Sequence, residues 1–138
     1  GKKFPVSNGD TAAEVRGHEP DATRIAGPEL GAVALAAATS LASGLPFLIV
    51  RKEAKDYGTS KRIEGVFEPG ERICLVEDVV TSGGQVITSC GDLRDRGAVV
   101  EHALCVIDRE SGGPEGLAGI AVELHPLFTM TELKAAAG

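Results

Sequence analysis

The apolar positions of this chain fall into short continuous runs, and these runs alternate with segments of helical spacing. Leu45–Val50 is continuously apolar and ends in β-branched residues, which predicts a buried strand. Four further runs predict strands: residues 22–27, 72–78, 98–109 and 119–129. Strands that are apolar on both faces need cover on both sides. The pattern therefore predicts an α/β fold with a mostly parallel central sheet flanked by helices, forming a single domain over residues 1–138.

Helical spacing appears between these runs. In residues 28–44 the positions expected to face the core are Leu30, Val33, Ala34, Ala37, Ala38 and Leu41. In residues 83–97 the expected buried face is Val86, Cys90 and Leu93, and residues 131–136 predict a terminal helix. Residues 63–71 predict a short hairpin, because Pro69-Gly70 is a turn signal.

Composition and charge narrow the class of protein. The net charge of −6 argues against a general affinity for nucleic acid or anionic membranes, and no apolar run approaches the length of a membrane span. The 3 cysteines are widely spaced, which predicts buried free thiols and a reducing, cytoplasmic location. His18, His102 and His125 are far apart in the sequence. Each is therefore expected to be structural, and zinc binding is not expected.

Polar clusters follow several of the predicted strands. They begin at Gly27, Arg51, Glu77 and Asp108. Because ligands of open parallel sheets bind beyond the carboxyl ends of the strands, we expect these clusters to meet at one edge of the sheet.

The cluster at Glu77 and Asp78 places two carboxylates side by side after a buried strand. Such a pair can accept hydrogen bonds from two vicinal hydroxyls, and the small residues of 81–84 then open a helix whose N–H groups can bind a phosphate. Together they predict a site for a ribose 5-phosphate. For residues 81–84 alone, an ordinary Ser/Thr helix cap is the alternative. Direct metal binding by the acids is the other alternative, but no third ligand is near, so Mg²⁺ is expected to arrive with substrate phosphates.

Two further clusters suggest anion binding. The cationic segment 51–62 follows a buried strand and contains Gly58, which favours a mobile lid over a pyrophosphate leaving group; a solvated loop is the alternative. Arg109, after another strand, can pair with a carboxylate or imide of a ligand. A surface salt bridge of Arg109 with Asp108 or Glu110 is the alternative.

Several of these segments resemble a known family. The segment VEDVVTSGG (residues 76–84) resembles the phosphoribosyl pyrophosphate (PRPP) signature of type I phosphoribosyltransferases. The segments RKEAKDYGTSKRIEG (51–65), DRESGG (108–113) and GKKFP (1–5) resemble the catalytic loop, the base-binding segment and the N-terminal segment of the orotate phosphoribosyltransferases. The resemblance covers nearly all of residues 47–133. It implies a type I phosphoribosyltransferase-like fold with a small, reduced N-terminal hood element.

The resemblance also implies a reaction and its partners. Ribose 5-phosphate would pass from PRPP to orotate with Mg²⁺ as cofactor, giving orotidine 5′-monophosphate and pyrophosphate. The protein would be a homodimer whose catalytic loop acts across the interface. A purine or other-base transferase and a non-catalytic PRPP-sensing regulator are the alternatives. The presence of Lys55 argues against the regulator, and Arg109 argues against purines, which carry no carboxylate.

Roles for individual residues follow from the same resemblance. Lys55 is expected to matter most for the rate, with Glu77 and Asp78 holding the ribose hydroxyls. Thr81 and Arg109 are expected to bind orotate. Residues expected to bind PRPP and its phosphates are Arg51, Lys52, Glu77, Asp78, Val79, Val80, Thr81, Ser82, Gly83, Gly84 and Gln85.

The chain departs from the family pattern in three places. Leu30 stands where some relatives have a lysine, so the pyrophosphate contact is assigned to backbone N–H groups of Glu29, Leu30 and Gly31. Tyr57 replaces a histidine of other relatives, so no acid–base role is assigned to it. The interval between residues 1–5 and residues 24–31 is shorter than expected for the family. No protein ligand to Mg²⁺ is expected, because PRPP carries the ion.

Overall fold

A six-stranded sheet forms the centre of this computed structural model, which describes residues 8–52 and 63–137. The strands are β1 (Arg24–Pro28), β2 (Phe47–Val50), β3 (Ile63–Glu64), β4 (Ile73–Val80), β5 (His102–Asp108) and β6 (Glu123–Thr129). Their order across the sheet is β3-β2-β1-β4-β5-β6. Only the pair β2–β3 is antiparallel among the neighbours in this sheet. The predicted α/β fold with a mostly parallel sheet is confirmed.

The prediction of a hairpin within residues 63–71 is wrong. Ile63 pairs with Val50, so β3 extends the sheet beside β2 instead of folding back on the residues that follow it. The turn at Pro69-Gly70 is present. It is held by a hydrogen bond from the Gly70 N–H to the carbonyl of Gly97 (2.8 Å), a residue that follows the helix of residues 84–95.

Helices cover both faces of the sheet. They are α1 (Asn8–His18), α2 (Ala32–Ser43), α3 (Gly84–Asp95), α4 (Gly113–Ala118) and α5 (Met130–Ala137). The sequence analysis missed α1, whose apolar pattern is weak, and α4, a short segment with two glycines. None of the helices in the described ranges is long and apolar enough to span a membrane.

Two layers of core side chains lie on the two faces. On the α1 and α2 side, Val15, Ile25, Ala36, Cys74, Val76 and Leu104 pack together. On the α3 and α4 side, the core includes Ala26, Leu75, Cys90, Leu93 and Leu117. Because side chains alternate along a strand, Ile25 and Ala26 reach opposite layers. All 3 cysteines are free and buried, as predicted.

The predicted buried faces of the two long helices had different outcomes. In α3, Val86, Cys90 and Leu93 are buried as predicted. In α2 the face was wrong: its buried residues are Ala32, Ala36 and Thr39, whereas Leu41 is 86% exposed. Nearly every position of α2 is apolar or small, so the pattern did not define which side faces the core.

The N-terminal helix α1 packs on the sheet through α2 and β5. The buried hydroxyls of Thr11 and Thr39 join the two helices at 2.8 Å. This is the described part of the expected N-terminal element; the segment GKKFP lies outside the described residues.

Candidate active site

Parallel pairing brings the ends of four strands to one edge, here called the carboxyl edge. The strands β2, β1, β4 and β5 are neighbours in that order and run in the same direction. The polar clusters lie at or directly after these ends: residues 77–80 are the last part of β4, and residues 29–31, 51–52, 81–84 and 109–110 follow the strands. The structure places the four predicted clusters at the same edge, where one ligand can contact several of them.

The two adjacent carboxyl groups on β4 differ in their surroundings. Glu77 is 6% exposed, whereas Asp78 is exposed to solvent. The Asp78 N–H donates to Glu77 Oε1 at 3.0 Å, and the Val79 N–H donates to Asp78 Oδ1 at 2.8 Å. One carboxyl group is therefore held inside and the other is presented to a ligand.

The protonation states of the two carboxyl groups follow from this difference in burial. Burial raises the pKa of Glu77 to about 8, and a hydrogen bond with the Asp78 side chain adds to the rise, whereas the bond from the Asp78 N–H opposes it. The pKa of Asp78 is lowered, chiefly by the hydrogen bond from the Glu77 side chain. At neutral pH, Glu77 is then neutral and Asp78 is an anion. The fold thereby avoids the repulsion between two adjacent charges that the sequence suggested.

The segment after β4 forms the start of α3. Thr81 and Ser82 are exposed, and Gly83 adopts a φ of 89° directly before the first helical residue, Gly84. The first N–H groups of a helix lack partners within the helix and attract anions. The exposed hydroxyls beside them can donate to the same phosphate. The expected phosphate-binding segment therefore has suitable geometry at the carboxyl edge.

The loop of Glu29, Leu30 and Gly31 is attached to this edge from both sides. The side-chain amide of Gln85 donates to the Glu29 carbonyl at 2.7 Å, and the Lys52 N–H donates to Glu29 Oε1 at 2.6 Å. A Cβ on Gly31 would lie only 2.7 Å from Asp78 Oδ2. Only a glycine allows the loop to approach the carboxylate this closely. The loop and Asp78 therefore form one surface.

Sequence reasoning did not find these attachments. Gln85 was expected to contact a phosphate, but in the structure its amide holds the Glu29 carbonyl. The two residues are 56 positions apart, so no local pattern could connect them. Gly31 was read only as a source of a backbone N–H, and its steric role depends on where Asp78 lies.

The cations that follow β2 are partly described. Arg51 Nη1 forms an ion pair with Glu64 Oε1 at 2.9 Å, on the neighbouring strand β3. Arg51 and Lys52 also line a cavity of about 210 Å³ together with Gln85 and Thr88 of α3. Lys55, the residue expected to matter most for the rate, lies outside the described residues, as does the rest of the segment 53–62.

Arg109 is exposed at the end of β5, where its backbone N–H donates to the Val80 carbonyl at 2.9 Å. The alternative of a surface salt bridge is not observed within the described ranges. The Asp108 carboxylate accepts from the Glu110 N–H at 2.9 Å, and the Glu110 carboxylate accepts from the Thr131 N–H at 2.6 Å. Both carboxylates thus accept hydrogen bonds from backbone N–H groups. The Arg109 side chain extends from the edge that carries Asp78 and the phosphate-binding segment.

A larger cavity, of about 730 Å³, lies at the opposite edge of the sheet and includes Arg94, Glu101 and Val122. It contains neither the paired carboxyl groups nor the start of α3. Cavity size alone would therefore point to the edge of the sheet opposite the predicted site residues.

A parallel sheet with paired acids and a hydroxyl-rich helix start at the end of a central strand defines the type I phosphoribosyltransferase class. No protein-family model matches the chain. The chain is 49% identical over 111 residues to the orotate phosphoribosyltransferase of Halobacterium salinarum, covering 80% of this chain and 63% of the relative. The crystal structure of orotate phosphoribosyltransferase from Aeropyrum pernix superposes with a TM-score of 0.83 at 32% identity, over 94% of this chain and 74% of that one.

A second similar structure is that of the Mycobacterium tuberculosis orotate phosphoribosyltransferase in complex with PRPP. It superposes with a TM-score of 0.77 at 27% identity, and the superposition covers 91% of this chain and 73% of that one. The present chain belongs to the orotate phosphoribosyltransferase family. It spans about 63% of the length of the Halobacterium relative.

Proposed function

We propose that the protein is a transferase that moves ribose 5-phosphate from PRPP to orotate, giving orotidine 5′-monophosphate and pyrophosphate. The observation that carries the proposal is the shared carboxyl edge. There the ionised Asp78, the start of α3, the loop of residues 29–31 and the exposed Arg109 lie at the ends of adjacent strands. The family membership supports orotate as the base, and the relative from M. tuberculosis was crystallised with PRPP.

Each group on the edge has a role in this reaction. Asp78 accepts a hydrogen bond from a ribose hydroxyl, and the neutral Glu77 beside it can both donate and accept. The first N–H groups of α3, with Thr81 and Ser82, bind the 5-phosphate. The guanidinium of Arg109 pairs with the orotate carboxylate, which a purine base lacks.

The chemical step forms a bond from orotate N1 to ribose C1 as the bond from C1 to the pyrophosphate oxygen breaks. Positive charge develops on the ribose and negative charge on the leaving group. The Asp78 carboxylate near the sugar favours the first, and backbone N–H groups of residues 29–31 with the side chains of Arg51 and Lys52 favour the second. Such fixed charges act most strongly on the transition state.

Magnesium fits this edge as an ion that arrives with PRPP. No direct protein ligand to the ion is proposed, since PRPP carries it and the exposed Asp78 carboxylate is assigned to a ribose hydroxyl. Mg²⁺ commonly keeps several waters and takes few protein ligands. When bound, it would neutralise charge on the pyrophosphate.

The proposal is tested by a spectrophotometric assay with PRPP and Mg²⁺ in which orotate, adenine, hypoxanthine and uracil are offered in parallel. We expect that orotate is the only base consumed and that its consumption stops when EDTA replaces Mg²⁺. Turnover of another base without orotate would support a different transferase. PRPP binding without turnover of any base would support a sensor.

The proposed assembly is a homodimer in which Lys55 acts at the partner's site, within a reducing cytoplasm that suits the buried free thiols. Mixing Lys55→Ala subunits with Asp78→Asn subunits should raise the activity above that of either variant alone, because one of the two sites in a mixed dimer then has both residues. If subunit exchange is demonstrated and no activity returns, Lys55 acts within its own chain.

A further inference from the structure

The 3 histidines of the chain, expected from the sequence to be isolated, lie together at the amino edge of the sheet, where β5 and β6 begin. In the register of these strands His102 is opposite Glu123, and Leu104 is opposite His125. His102, Glu123 and His125 therefore point to the same face. His102 Nδ1 and His125 Nε2 are hydrogen bonded at 2.9 Å, and the other ring nitrogen of His125, Nδ1, is 3.9 Å from Glu123 Oε1.

These three side chains have the arrangement of metal ligands. One ligand atom from each lies within 4.8 Å of the others, and no other group of this kind occurs in the part of the chain that the structure describes. Two imidazoles and one carboxylate are a donor set that zinc uses with water in the fourth position. Tetrahedral coordination needs ring nitrogens about 3.3 Å apart, so the two rings would separate only slightly.

The third histidine encloses the cluster without joining the ligand group. The His18 ring stacks on the His125 ring with centroids 3.7 Å apart, and His18 Nε2 is hydrogen bonded to Glu14 Oε2 at 2.9 Å. The His125 side chain is 11% exposed.

The cluster also has an opening to solvent. The Glu123 side chain is 69% exposed, so an ion can enter on that side and keep a water ligand. The edge position of β6 leaves room for this, because no strand covers it within the described sheet.

We propose that His102, Glu123 and His125 form a binding site for a divalent transition-metal ion such as Zn²⁺. The site is separate from the carboxyl edge: β5 runs from His102 to Asp108, a rise of about 20 Å. A bound ion links the first residues of β5 and β6 and thereby stabilises this edge of the sheet. This role does not depend on the proposed transferase activity.

The test is titration of tag-free, chelator-treated protein with Co²⁺, followed by visible absorption, and then competition with Zn²⁺. We expect one Co²⁺ per chain with the absorption of a low-symmetry nitrogen and oxygen site, displacement by Zn²⁺, and a higher Tm with either ion. His125→Gln should weaken Co²⁺ binding by more than about 100-fold, since even outer partners of metal ligands are worth 10–100-fold.

Three further variants make the test specific. Glu123→Gln, at an exposed position where folding is not at risk, should also weaken Co²⁺ binding strongly. His18→Gln and Asp78→Asn should leave binding within a few-fold, because His18 only stacks on the site and Asp78 lies at the other edge. Absence of Co²⁺ binding to the unmodified protein overturns the proposal. It is equally overturned if Glu123→Gln and His125→Gln bind normally, or if Asp78→Asn removes the site.

Discussion

The carboxyl edge and the amino edge of the sheet each hold a buried glutamate, yet the two are used differently. Burial is the main cause that raises the pKa of Glu77 to about 8 and that of Glu19 to about 7. Glu77 is adjacent to Asp78, an exposed anion at a strand end. Glu19, which is 4% exposed, lies near Cys74, Arg72 and Glu101 at the starts of β4 and β5. A raised pKa therefore reports burial, and only the accessible partner beside Glu77 makes that carboxyl group a candidate for ligand binding.

The largest expected effect separates the two edges directly. Asp78→Asn should lower kcat/KM for PRPP by about 100-fold, because a hydrogen bond to a charged group contributes about 1.5–3 kcal/mol. Steady-state kinetics with orotate measure this. His125→Gln, at the amino edge, is the control and should change kcat/KM by less than about twofold. Equal losses in both variants would mean that the edges are not functionally distinct.

The next effect concerns stability at the amino edge. The unfolded chain releases the Glu19 proton near pH 4.5, whereas the folded chain retains it until about pH 7, so this residue makes stability fall as the pH rises across that interval. Glu19→Gln removes the loss. Its free energy of unfolding, relative to the unmodified protein, should rise by about 3 kcal/mol between pH 4 and pH 8. Urea unfolding at both pH values measures the change, and a difference that does not vary with pH would contradict the assigned cause.

A smaller effect tests the close approach at the carboxyl edge. Gly31→Ala places a Cβ only 2.7 Å from Asp78 Oδ2, so the loop or the carboxylate must shift. We expect KM for PRPP to rise about tenfold, since displaced side-chain geometry costs about 0.5–1.5 kcal/mol. Gly91→Ala in α3 is the matched control, because its Cβ would meet nothing within 4 Å. An unchanged KM in Gly31→Ala would show that the loop adapts freely.

The smallest effect distinguishes the two adjacent acids. Glu77→Gln should change kcat/KM at pH 7 by less than about threefold, because the buried group is already neutral there and glutamine has the same shape. Above pH 8 the unmodified protein should lose PRPP affinity as Glu77 ionises beside Asp78, while the variant should not. A loss at pH 7 as large as that of Asp78→Asn would mean that Glu77 binds ligand as an anion.

The sequence predicted those parts of the fold whose patterns are local. Apolar runs located β2, β4, β5 and β6 within a few residues, and the spacing of Val86, Cys90 and Leu93 gave the buried face of α3. In α2 the same reasoning gave the wrong face, because alanines on all sides leave its orientation to the packing of Ala32 and Ala36 against the sheet. The antiparallel pairing of β3 with β2 was also missed, since a two-residue strand has no pattern of its own.

At the carboxyl edge, too, local features could be predicted from the sequence and long-range contacts could not. Glu77, Asp78 and the start of α3 are contiguous in the chain, so their chemistry could be recognised from the sequence. The contacts of Gln85 with Glu29, and of Gly31 with Asp78, join segments separated by dozens of residues. Whether Glu77 or Asp78 carries the charge could not be predicted either, because that depends on which side chain the fold buries.

The sequence by itself determined the parallel sheet, the paired acids at a strand end and the membership of a ligand-binding class, because apolar runs and contiguous motifs are properties of neighbouring residues. Only the tertiary structure decided which acid is ionised, what holds the loop of residues 29–31, and that His18, His102 and His125 lie together. The physical reason is that burial and side-chain distances depend on strand order and register, which bring together residues that no local pattern relates.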